Sequence, residues 1–178
     1  MKPRRPSLEV IEFLINLAIA VAMFCVVYFL IAQPNEIEGQ SMYPTFNTGN
    51  YVISEKISRY FDNFHHGEII VFHYPVDKKY DYVKRIIALP GDVVSLQDGD
   101  VYLNGKKIVE GYTSGKTKGG VFLGDGESYS VKEGELFVMG DNRLESSDSR
   151  YWGTVKFSDV VGNVIFQYWP LTRLRFLH

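Results

Sequence analysis

A long apolar run near the N-terminus restricts what this chain of 178 residues can fold into. From Phe13 to Ala32 the residues are almost wholly apolar, with Asn16 as the one strongly polar exception. Because a helix rises about 1.5 Å per residue, about 20 such residues span the roughly 30 Å hydrocarbon core of a bilayer. A cleaved secretory leader has a shorter apolar region that ends in small residues, whereas the large Leu30 stands near the end of this run. The run therefore predicts an uncleaved, single-pass membrane anchor.

The charges around this run predict its orientation. Lys2, Arg4 and Arg5 precede it, and Glu36 and Glu38 follow it. Because basic residues favour the cytoplasmic side of an anchor, we expect the N-terminus in the cytoplasm and the body outside the cell membrane. The predicted parts are 1–12 in the cytoplasm, 13–32 as the transmembrane anchor and 33–178 as the extracytoplasmic domain.

Composition fits one folded, β-rich domain behind the anchor. Apolar residues make up 46% of the chain and aromatic residues 15%, a balance typical of β-structure. The net charge of -2 and the pI of about 6.1 argue against a nucleic-acid surface. The one cysteine, Cys25, lies in the apolar run, so the chain has no intramolecular disulfide and the body has no thiol nucleophile. The histidines show no metal-ligand spacing, so the sequence predicts neither a metal site nor another cofactor.

Apolar and alternating stretches divided by turn residues predict a mostly β body. The strand candidates are 51–53, 68–74, 82–89, 101–109, 134–139 and 160–169. Asn104-Gly105 suits the type I′ turn of a hairpin within 101–109. The segment 111–126 is rich in Gly, Lys, Ser and Thr, which predicts a mobile surface loop.

A serine-containing corner follows the apolar run closely. It reads Gly-Gln-Ser-Met-Tyr-Pro-Thr-Phe from Gly39 to Phe46. Gly39 permits backbone angles closed to other residues, and Pro44 fixes one angle after the turn. Such a corner can hold the Ser41 hydroxyl exposed beside a bilayer. A turn serine that bonds its own backbone gives the same pattern, so a partner base decides between the two interpretations.

A lysine in an apolar strand is the first candidate for that base. The stretch from Tyr82 to Leu89 reads Tyr-Val-Lys-Arg-Ile-Ile-Ala-Leu and is followed by a Pro-Gly-Asp turn. With a period of two, Lys84 shares a face with Ile86 and Ala88. A buried charged lysine is costly unless it is paired or neutral, whereas a lysine at a strand end can extend to water. The stretch alone leaves both possibilities open.

A polar stretch between two hydrophobic strands is the third stretch that indicates a functional site, after those of Ser41 and Lys84. It reads GDNRLESSDSRYWG from Gly140 to Gly153. A solvated loop with surface ion pairs contributes little to a fold. The density of hydrogen-bonding groups, bounded by glycine at both ends, instead indicates an organised polar network.

Together, these three stretches resemble bacterial type I signal peptidases over nearly the whole chain. The shared order is an anchor, Ser-Met-x-Pro-Thr, Lys-Arg-Ile-Ile-x-Leu-Pro-Gly-Asp and Gly-Asp-Asn-Arg-x-x-Ser-x-Asp-Ser-Arg. The single anchor and short body are similar to the compact Gram-positive members. The resemblance implies a mostly β fold, in which a transmembrane helix precedes an antiparallel catalytic domain of the signal peptidase and LexA-like type. It also implies a Ser-Lys serine endopeptidase that removes signal peptides from exported preproteins at the outer face of a phospholipid membrane.

The resemblance assigns roles to particular residues. Ser41 matches the nucleophile, Lys84 the general base and Ser146 the hydroxyl that orients the lysine amine. The charged residues that match those bracing the site are Arg85, Asp141, Asp148 and Arg150. Gram-negative members have a serine in the oxyanion hole at the place of Gly39, so here the hole is expected to rest on backbone N–H groups, including that of Ser41. The residues implied to line the substrate pocket are Ile37, Met42, Phe46, Tyr82 and Val83.

The chemistry of the residues agrees with these roles. Peptide hydrolysis needs an activated nucleophile, a base and an oxyanion stabiliser. A lysine serves as the base only when neutral, and burial beside apolar residues lowers the pKa of the amine. Two alternatives stay open: a related peptidase specialised for one substrate, and an anchored β-domain without activity.

Overall fold

The computed structural model describes residues 8–113 and 115–177, apart from the side chain of Phe29. Helix α1 spans Leu8–Val26, and one wider helical turn follows at Val27–Ile31. Within the described residues, α1 is the one helix long and apolar enough to cross a bilayer, with a mean hydropathy of 2.1 and no buried residue. Lys2, Arg4 and Arg5, on which the orientation was predicted, lie outside the described residues.

The helix and the predicted anchor differ in their bounds. Helix α1 begins at Leu8, before the apolar run, and includes Glu9 and Glu12. Ala32, expected as the last anchor residue, is instead the first residue of a strand and pairs with Glu55. The helix therefore passes into the body with almost no linker.

The body is a mostly antiparallel β structure, as the sequence predicted. The strands are β1 Ala32–Glu36, β2 Tyr51–Glu55, β3 Ile69–His73, β4 Asp81–Ala88, β5 Val93–Gln97, β6 Asp100–Leu103, β7 Lys106–Lys107, β8 Ser128–Ser130, β9 Glu135–Met139, β10 Val155–Lys156, β11 Val160–Trp169 and β12 Arg175–Phe176. Short helical segments lie at Ser58–Tyr60, Phe157–Asp159 and Leu171–Arg173, and a one-turn helix, α2, lies at Ser149–Trp152.

These strands form two sheets. The larger sheet has the order β1-β2-β11-β3-β4-β9-β10, with β12 paired to β11. The smaller sheet has the order β7-β6-β5-β8. The predicted hairpin is confirmed, because β6 pairs with β7 across Asn104 and Gly105, which have φ angles of 52° and 76°. Positive φ at both positions is what a type I′ turn requires.

The core lies on both faces of the larger sheet and beneath the smaller one. Alternate residues of β3 point to opposite faces, so Ile69 and Val71 enter one apolar cluster while Ile70 and Phe72 enter another. A third cluster joins β4 and β9 to the smaller sheet. The inward side chains of all three clusters are almost fully buried.

Strand β4 departs from the simple alternation that the sequence predicted. Its register against β9 shifts between Ile86 and Ala88. Because an extra residue at a bulge reverses the faces of the residues after it, Ile86 and Ala88 enter different clusters. Lys84 precedes this irregularity, and its pairing with Ile70 of β3 is regular.

The loop predicted at 111–126 has no helix or strand in its described residues, but it is not wholly a surface feature. Thr117 and Leu123 are buried in it. The backbone N–H groups of Phe122 and Leu123 both donate to the carbonyl of Arg150. Part of this loop is therefore packed onto the polar stretch 140–153, which its composition did not reveal.

Candidate active site

The corner that carries Ser41 is held by hydrogen bonds from the polar stretch. Gly39 has a φ of 85°, an angle that favours glycine. The N–H of Asn142 donates to the Ser41 carbonyl at 3.0 Å, and Asn142 Nδ2 donates to the Gln40 carbonyl at 3.1 Å. Thr48 Oγ1 donates to the Gly39 carbonyl at 2.9 Å. These contacts fix the backbone on both sides of the serine hydroxyl.

Lys84 meets this corner directly. Strand β4 places the Lys84 side chain so that Nζ lies 2.7 Å from Ser41 Oγ and 3.0 Å from the Val83 carbonyl. The lysine is 3% exposed. Burial lowers the pKa of Lys84 from 10.5 to about 8, although the carboxylates of Asp148 and Asp141 act in the opposite direction. The two predicted catalytic residues thus lie within one hydrogen-bond distance, and the amine is poised to lose its proton.

The predicted bracing residues form two arginine–carboxylate pairs. Arg85 Nε and Nη2 donate to the two oxygens of Asp141 at 2.8 and 2.6 Å. Arg150 Nε and Nη2 donate to the two oxygens of Asp148 at 2.7 Å each. Both carboxylates and Arg150 are fully buried. Two parallel hydrogen bonds fix the orientation of each pair as well as its distance.

The carboxylates of these pairs reach back to the site. Asp148 Oδ2 accepts the N–H of Gly140 at 3.0 Å. Asp141 Oδ2 accepts the hydroxyl of Thr45, on the turn that begins at Ser41. The pairs therefore connect the polar stretch to the strand that carries the lysine and to the turn that carries the serine.

Thr45 and Asn142 are site residues that single-residue reasoning missed. Both lie in the stretches that carried the resemblance, one in Ser-Met-x-Pro-Thr and the other in Gly-Asp-Asn-Arg. Their positions inside those motifs were the one sequence feature from which their part in the site could have been predicted. Their contacts are made across 96 and 102 residues of chain, which no local pattern reveals.

Ser146 corrects one prediction. It was expected to hydrogen-bond the lysine amine, but its Oγ is buried with no hydrogen-bond partner among the described residues. The hydroxyl still lies beside the serine corner. A Cβ added at Gly140 would lie 2.2 Å from Ser146 Oγ and 2.4 Å from the Ser41 carbonyl oxygen. Gly140 therefore lies between Ser41 and Ser146, and the space at its α-carbon is too small for any side chain.

A cleft of about 500 Å³ opens in front of Ser41 and Lys84. Four of the predicted pocket residues line it, namely Ile37, Met42, Tyr82 and Val83. Gly39 and Gln40 also line it, as do Glu145 and Ser147 of the polar stretch. Among the described residues, none accepts a hydrogen bond from the Ser41 N–H. The Ser41 N–H, the predicted oxyanion donor, is thus available to donate a hydrogen bond to a group bound in the cleft.

Phe46 is the exception among the predicted pocket residues. It is fully buried and packs in the cluster that contains Ile37, Met42 and Val52. It does not line the cleft. The turn after Ser41 directs Phe46 into the core, where its ring lies 5.7 Å from the guanidinium of Arg175. Its prediction as a pocket residue is wrong because an apolar side chain beside a site can equally serve to fix the turn.

Comparisons with known proteins agree with the resemblance. A family model described as "Signal peptidase, peptidase S26" matches residues 10–169. The chain is 38% identical to signal peptidase I of Bacillus caldolyticus, over 89% of this chain and 91% of that protein. It is 33% identical to signal peptidase IB of Staphylococcus aureus, over 94% of each chain. A crystal structure of a signal peptidase I from Enterococcus faecalis, 30% identical, covers 56% of this chain and 94% of its own with a TM-score of 0.46.

These sequence similarities define the class of the protein, which is a hydrolase of the serine peptidase type. The family match extends across most of the helix, the serine corner, strand β4 and the polar stretch. Within that class, the chain belongs to the signal peptidase family, peptidase S26.

Proposed function

We propose that this protein is a membrane-anchored endopeptidase that removes N-terminal signal peptides from exported preproteins. Ser41 is the nucleophile, and the neutral amine of Lys84 is the general base. The single observation that carries the proposal is the 2.7 Å distance between Lys84 Nζ and Ser41 Oγ at a buried position. A serine hydroxyl is a weak nucleophile until an adjacent base removes its proton, and an amine at this distance is within reach to do so.

The reaction follows from this pair. As Ser41 Oγ attacks the scissile carbonyl, its proton moves to Lys84 Nζ and the carbonyl oxygen becomes an oxyanion. The Ser41 N–H, which donates to no described residue, stabilises that charge. The Lys84 ammonium then protonates the leaving amine, the C–N bond breaks, and an ester joins the signal peptide to Ser41. Lys84, neutral again, takes a proton from water, whose oxygen attacks the ester carbonyl carbon. The bond from that carbon to Ser41 Oγ then breaks, the Lys84 ammonium returns its proton to Ser41 Oγ, and the signal peptide leaves with a free carboxyl group.

The position of α1 supports the membrane part of the proposal. The helix is mostly apolar and has no buried residue, and it continues through the turn Val27–Ile31 into β1, which leads to the serine corner. A preprotein whose own apolar segment lies in the same bilayer is held close to the cleft, which lowers the entropy cost of productive binding. We propose that no metal or nucleic acid takes part.

The cleft supports a preference for small residues next to the cut. Ile37 and Met42 line the cleft and are almost fully buried, and Tyr82 and Val83 also line it. Lining residues that are packed into a dense core cannot recede to admit a large side chain. We therefore expect cleavage after alanine and no cleavage when a bulky aromatic residue stands immediately before the cut.

Cleavage of a purified preprotein in detergent tests the proposed function. Full-length wild type should release the signal peptide, while folded Ser41→Ala and Lys84→Arg variants should not. Arginine keeps the charge and length of lysine but cannot lose its proton near neutral pH. Lys132→Arg changes an exposed lysine outside the cleft and should leave the rate unchanged. Cleavage by folded Lys84→Arg near the wild-type rate would refute the dyad.

A further inference from the structure

Three buried or nearly buried arginines surround the site, and one irregular loop contacts all three. We call residues 110–113 and 115–123 the arginine-capping loop. These residues form no helix or strand, and composition alone predicted a mobile surface segment. The contacts of Arg85, Arg143 and Arg150 with this loop give it a different role.

The first contact is a ring placed on a guanidinium. The Tyr112 ring centroid lies 3.9 Å from Cζ of Arg85, whose edge donates to Asp141 and to the Gly67 carbonyl. Arginine favours this stacked arrangement because the ring face carries negative charge density and excludes water. Burial and the charge of Glu110 raise the pKa of Tyr112, so its hydroxyl stays protonated and donates to Glu110 at 3.1 Å.

The second contact is an ion pair. Both carboxylate oxygens of Glu110 accept hydrogen bonds from Arg143, the Nη1 bond being 2.7 Å long. Arg143 Nη1 also donates to Thr117 Oγ1 at 2.8 Å, and Arg143 Nε donates to the Gly140 carbonyl at 3.1 Å. Arg143 is 1% exposed. The charge of Arg143 is therefore paired with Glu110 of the loop, although the Arg143 backbone belongs to the polar stretch.

The third contact is with the backbone. Arg150 Nη1 donates to the Lys118 carbonyl at 2.8 Å, and the Arg150 carbonyl accepts the N–H groups of Phe122 and Leu123 at 2.8 and 3.0 Å. The approach is close, since a Cβ added at Gly120 would lie 2.3 Å from the Arg150 carbonyl oxygen. The loop is docked at this point with no space for a larger residue.

We propose that the arginine-capping loop holds the catalytic amine and hydroxyl in register, and that Tyr112 is a positioning residue acting through Arg85. This role rests on the proposed function, in which Ser41 and Lys84 carry the reaction. Arg85 follows Lys84 directly on β4, and its partner Asp141 accepts the Thr45 hydroxyl on the serine turn. Tyr112 thus packs on the guanidinium of Arg85. Arg85 is adjacent in the chain to the proposed base, and Asp141 connects it to the turn that carries Ser41.

Loss of the ring lets water reach the face of the Arg85 guanidinium. Water raises the local dielectric and weakens the Arg85–Asp141 attraction, so the strand and the serine turn gain freedom relative to each other. Small displacements of reacting groups cost large factors in rate. Binding of the peptide in the cleft does not use Tyr112, which does not line it. The effect should therefore fall on kcat and not on KM.

The amine also responds to this change. The groups that face Lys84 are Ser41, the carboxylates of Asp141 and Asp148, the guanidinium of Arg150 and the Tyr82 ring, 5.1 Å from Nζ. Desolvation is the largest influence and lowers the pKa of Lys84. Water that enters beside Arg85 reduces that desolvation, so the pKa rises toward its ordinary value and less neutral amine is present at a given pH.

Kinetics of two Tyr112 variants test the proposal with full-length protein in detergent. Tyr112→Phe keeps the ring over Arg85 and should retain kcat within about twofold, whereas Tyr112→Leu should lower kcat about tenfold with KM unchanged. The rising limb of the pH–rate profile should move to higher pH in Tyr112→Leu only. Val121→Ser, at a 91% exposed position of the same loop, is the matched control and should match wild type.

A purely structural role predicts a different result. In that case Tyr112→Leu lowers the melting temperature but leaves kcat and the pH limb unchanged below it, which would overturn the proposal. Equal damage in Tyr112→Phe and Tyr112→Leu would also overturn it, because the ring face would then be irrelevant. If Tyr112→Leu does not fold, Thr117→Val, which removes an acceptor of Arg143, should lower kcat with KM unchanged, and wild-type kinetics there would refute the proposal. Cleavage by Ser41→Ala would refute the proposed function itself, whatever the Tyr112 result.

Discussion

Lys84 sets the pH range in which the enzyme is expected to act. Burial lowers the pKa of its amine from 10.5 to about 8. In the proposed mechanism the base is the neutral amine, whose fraction rises as the pH rises through that value, so kcat/KM should rise with it. Initial cleavage rates measured from about pH 6 to about pH 10 should show one rising limb near pH 8 that His66→Ala leaves in place. A limb near the ordinary histidine value of about 6.5 would contradict lysine as the base.

Gly140 gives a second prediction at the scale of one residue. A methyl group there would meet Ser146 Oγ at 2.2 Å and the Ser41 carbonyl oxygen at 2.4 Å. Because neither atom belongs to the end of a long, flexible side chain, Gly140→Ala must displace the serine corner, and we expect at least about a hundredfold loss of kcat/KM. Gly111→Ala is the control, because nothing lies within 4 Å of the added Cβ, and its kcat/KM should equal that of wild type. Unchanged cleavage by Gly140→Ala would show that the corner relaxes without cost.

Motifs and their order located the candidate site, but not every contact within it. Ser41 and Lys84 were assigned through the resemblance, because the corner and the strand alone left a structural interpretation open for each residue. Ser146 was placed in the correct stretch, yet its Oγ makes no hydrogen bond to a described residue. The direction of one hydroxyl depends on packing around Gly140, which the sequence does not encode locally. Phe46 was misassigned for the same reason, since only the fold separates a core residue from a pocket residue.

At the scale of elements, long strands were predictable and short ones were not. Strand β11 was predicted at 160–169 and occupies those residues, because β-branched and aromatic residues that end at Pro170 favour a strand. Strands β7, β10 and β12 have two residues each. Two residues cannot show a period, so these strands exist only through pairing with their neighbours.

The last of these strands gives a prediction about the C-terminal segment. Arg175 Nη2 donates to the Thr45 carbonyl at 2.5 Å, and Arg175 Nε donates to Gln167 Oε1 at 3.0 Å. Thr45 is thereby held from its backbone by Arg175 and from its hydroxyl by Asp141. Arg175→Met, which keeps an apolar stem over Phe46, should lower kcat/KM about tenfold, because the serine turn loses the hydrogen bond that holds the Thr45 carbonyl.

Arg173→Met is the comparison for this element. Arg173 is exposed, and its side chain makes no hydrogen bond or ion pair with a described residue. The Arg173→Met variant should cleave at the wild-type rate and have the wild-type melting temperature. If Arg175→Met behaved in the same way, the C-terminal segment would have no part in holding the serine turn.

At the scale of the molecule, a short path joins the cleft to helix α1, which we propose as the anchor. Helix α1 ends in the turn Val27–Ile31, β1 begins at Ala32, and the chain reaches the cleft at Glu36 and Ile37. Lys56 in the body reaches back to the Tyr28 carbonyl at 3.4 Å. Because so little chain lies between them, anchoring by α1 predicts that the cleft lies close to the side of the membrane at which α1 ends. The orientation of α1 therefore decides which side of the membrane the enzyme serves.

The basic residues before the apolar run predict that the body lies outside the cytoplasm. The single native cysteine, Cys25, permits a clean labelling test, because Cys25→Ala removes the background and Val121→Cys adds one thiol at a 91% exposed site of the body. A membrane-impermeant maleimide should label this double variant in intact spheroplasts, since the thiol faces outward. A second variant, Cys25→Ala with Lys2→Cys, should be labelled only after permeabilisation. The reverse pattern would place the cleft in the cytoplasm, where it could not meet the exported side of a preprotein, and would refute the orientation together with the proposed site of action.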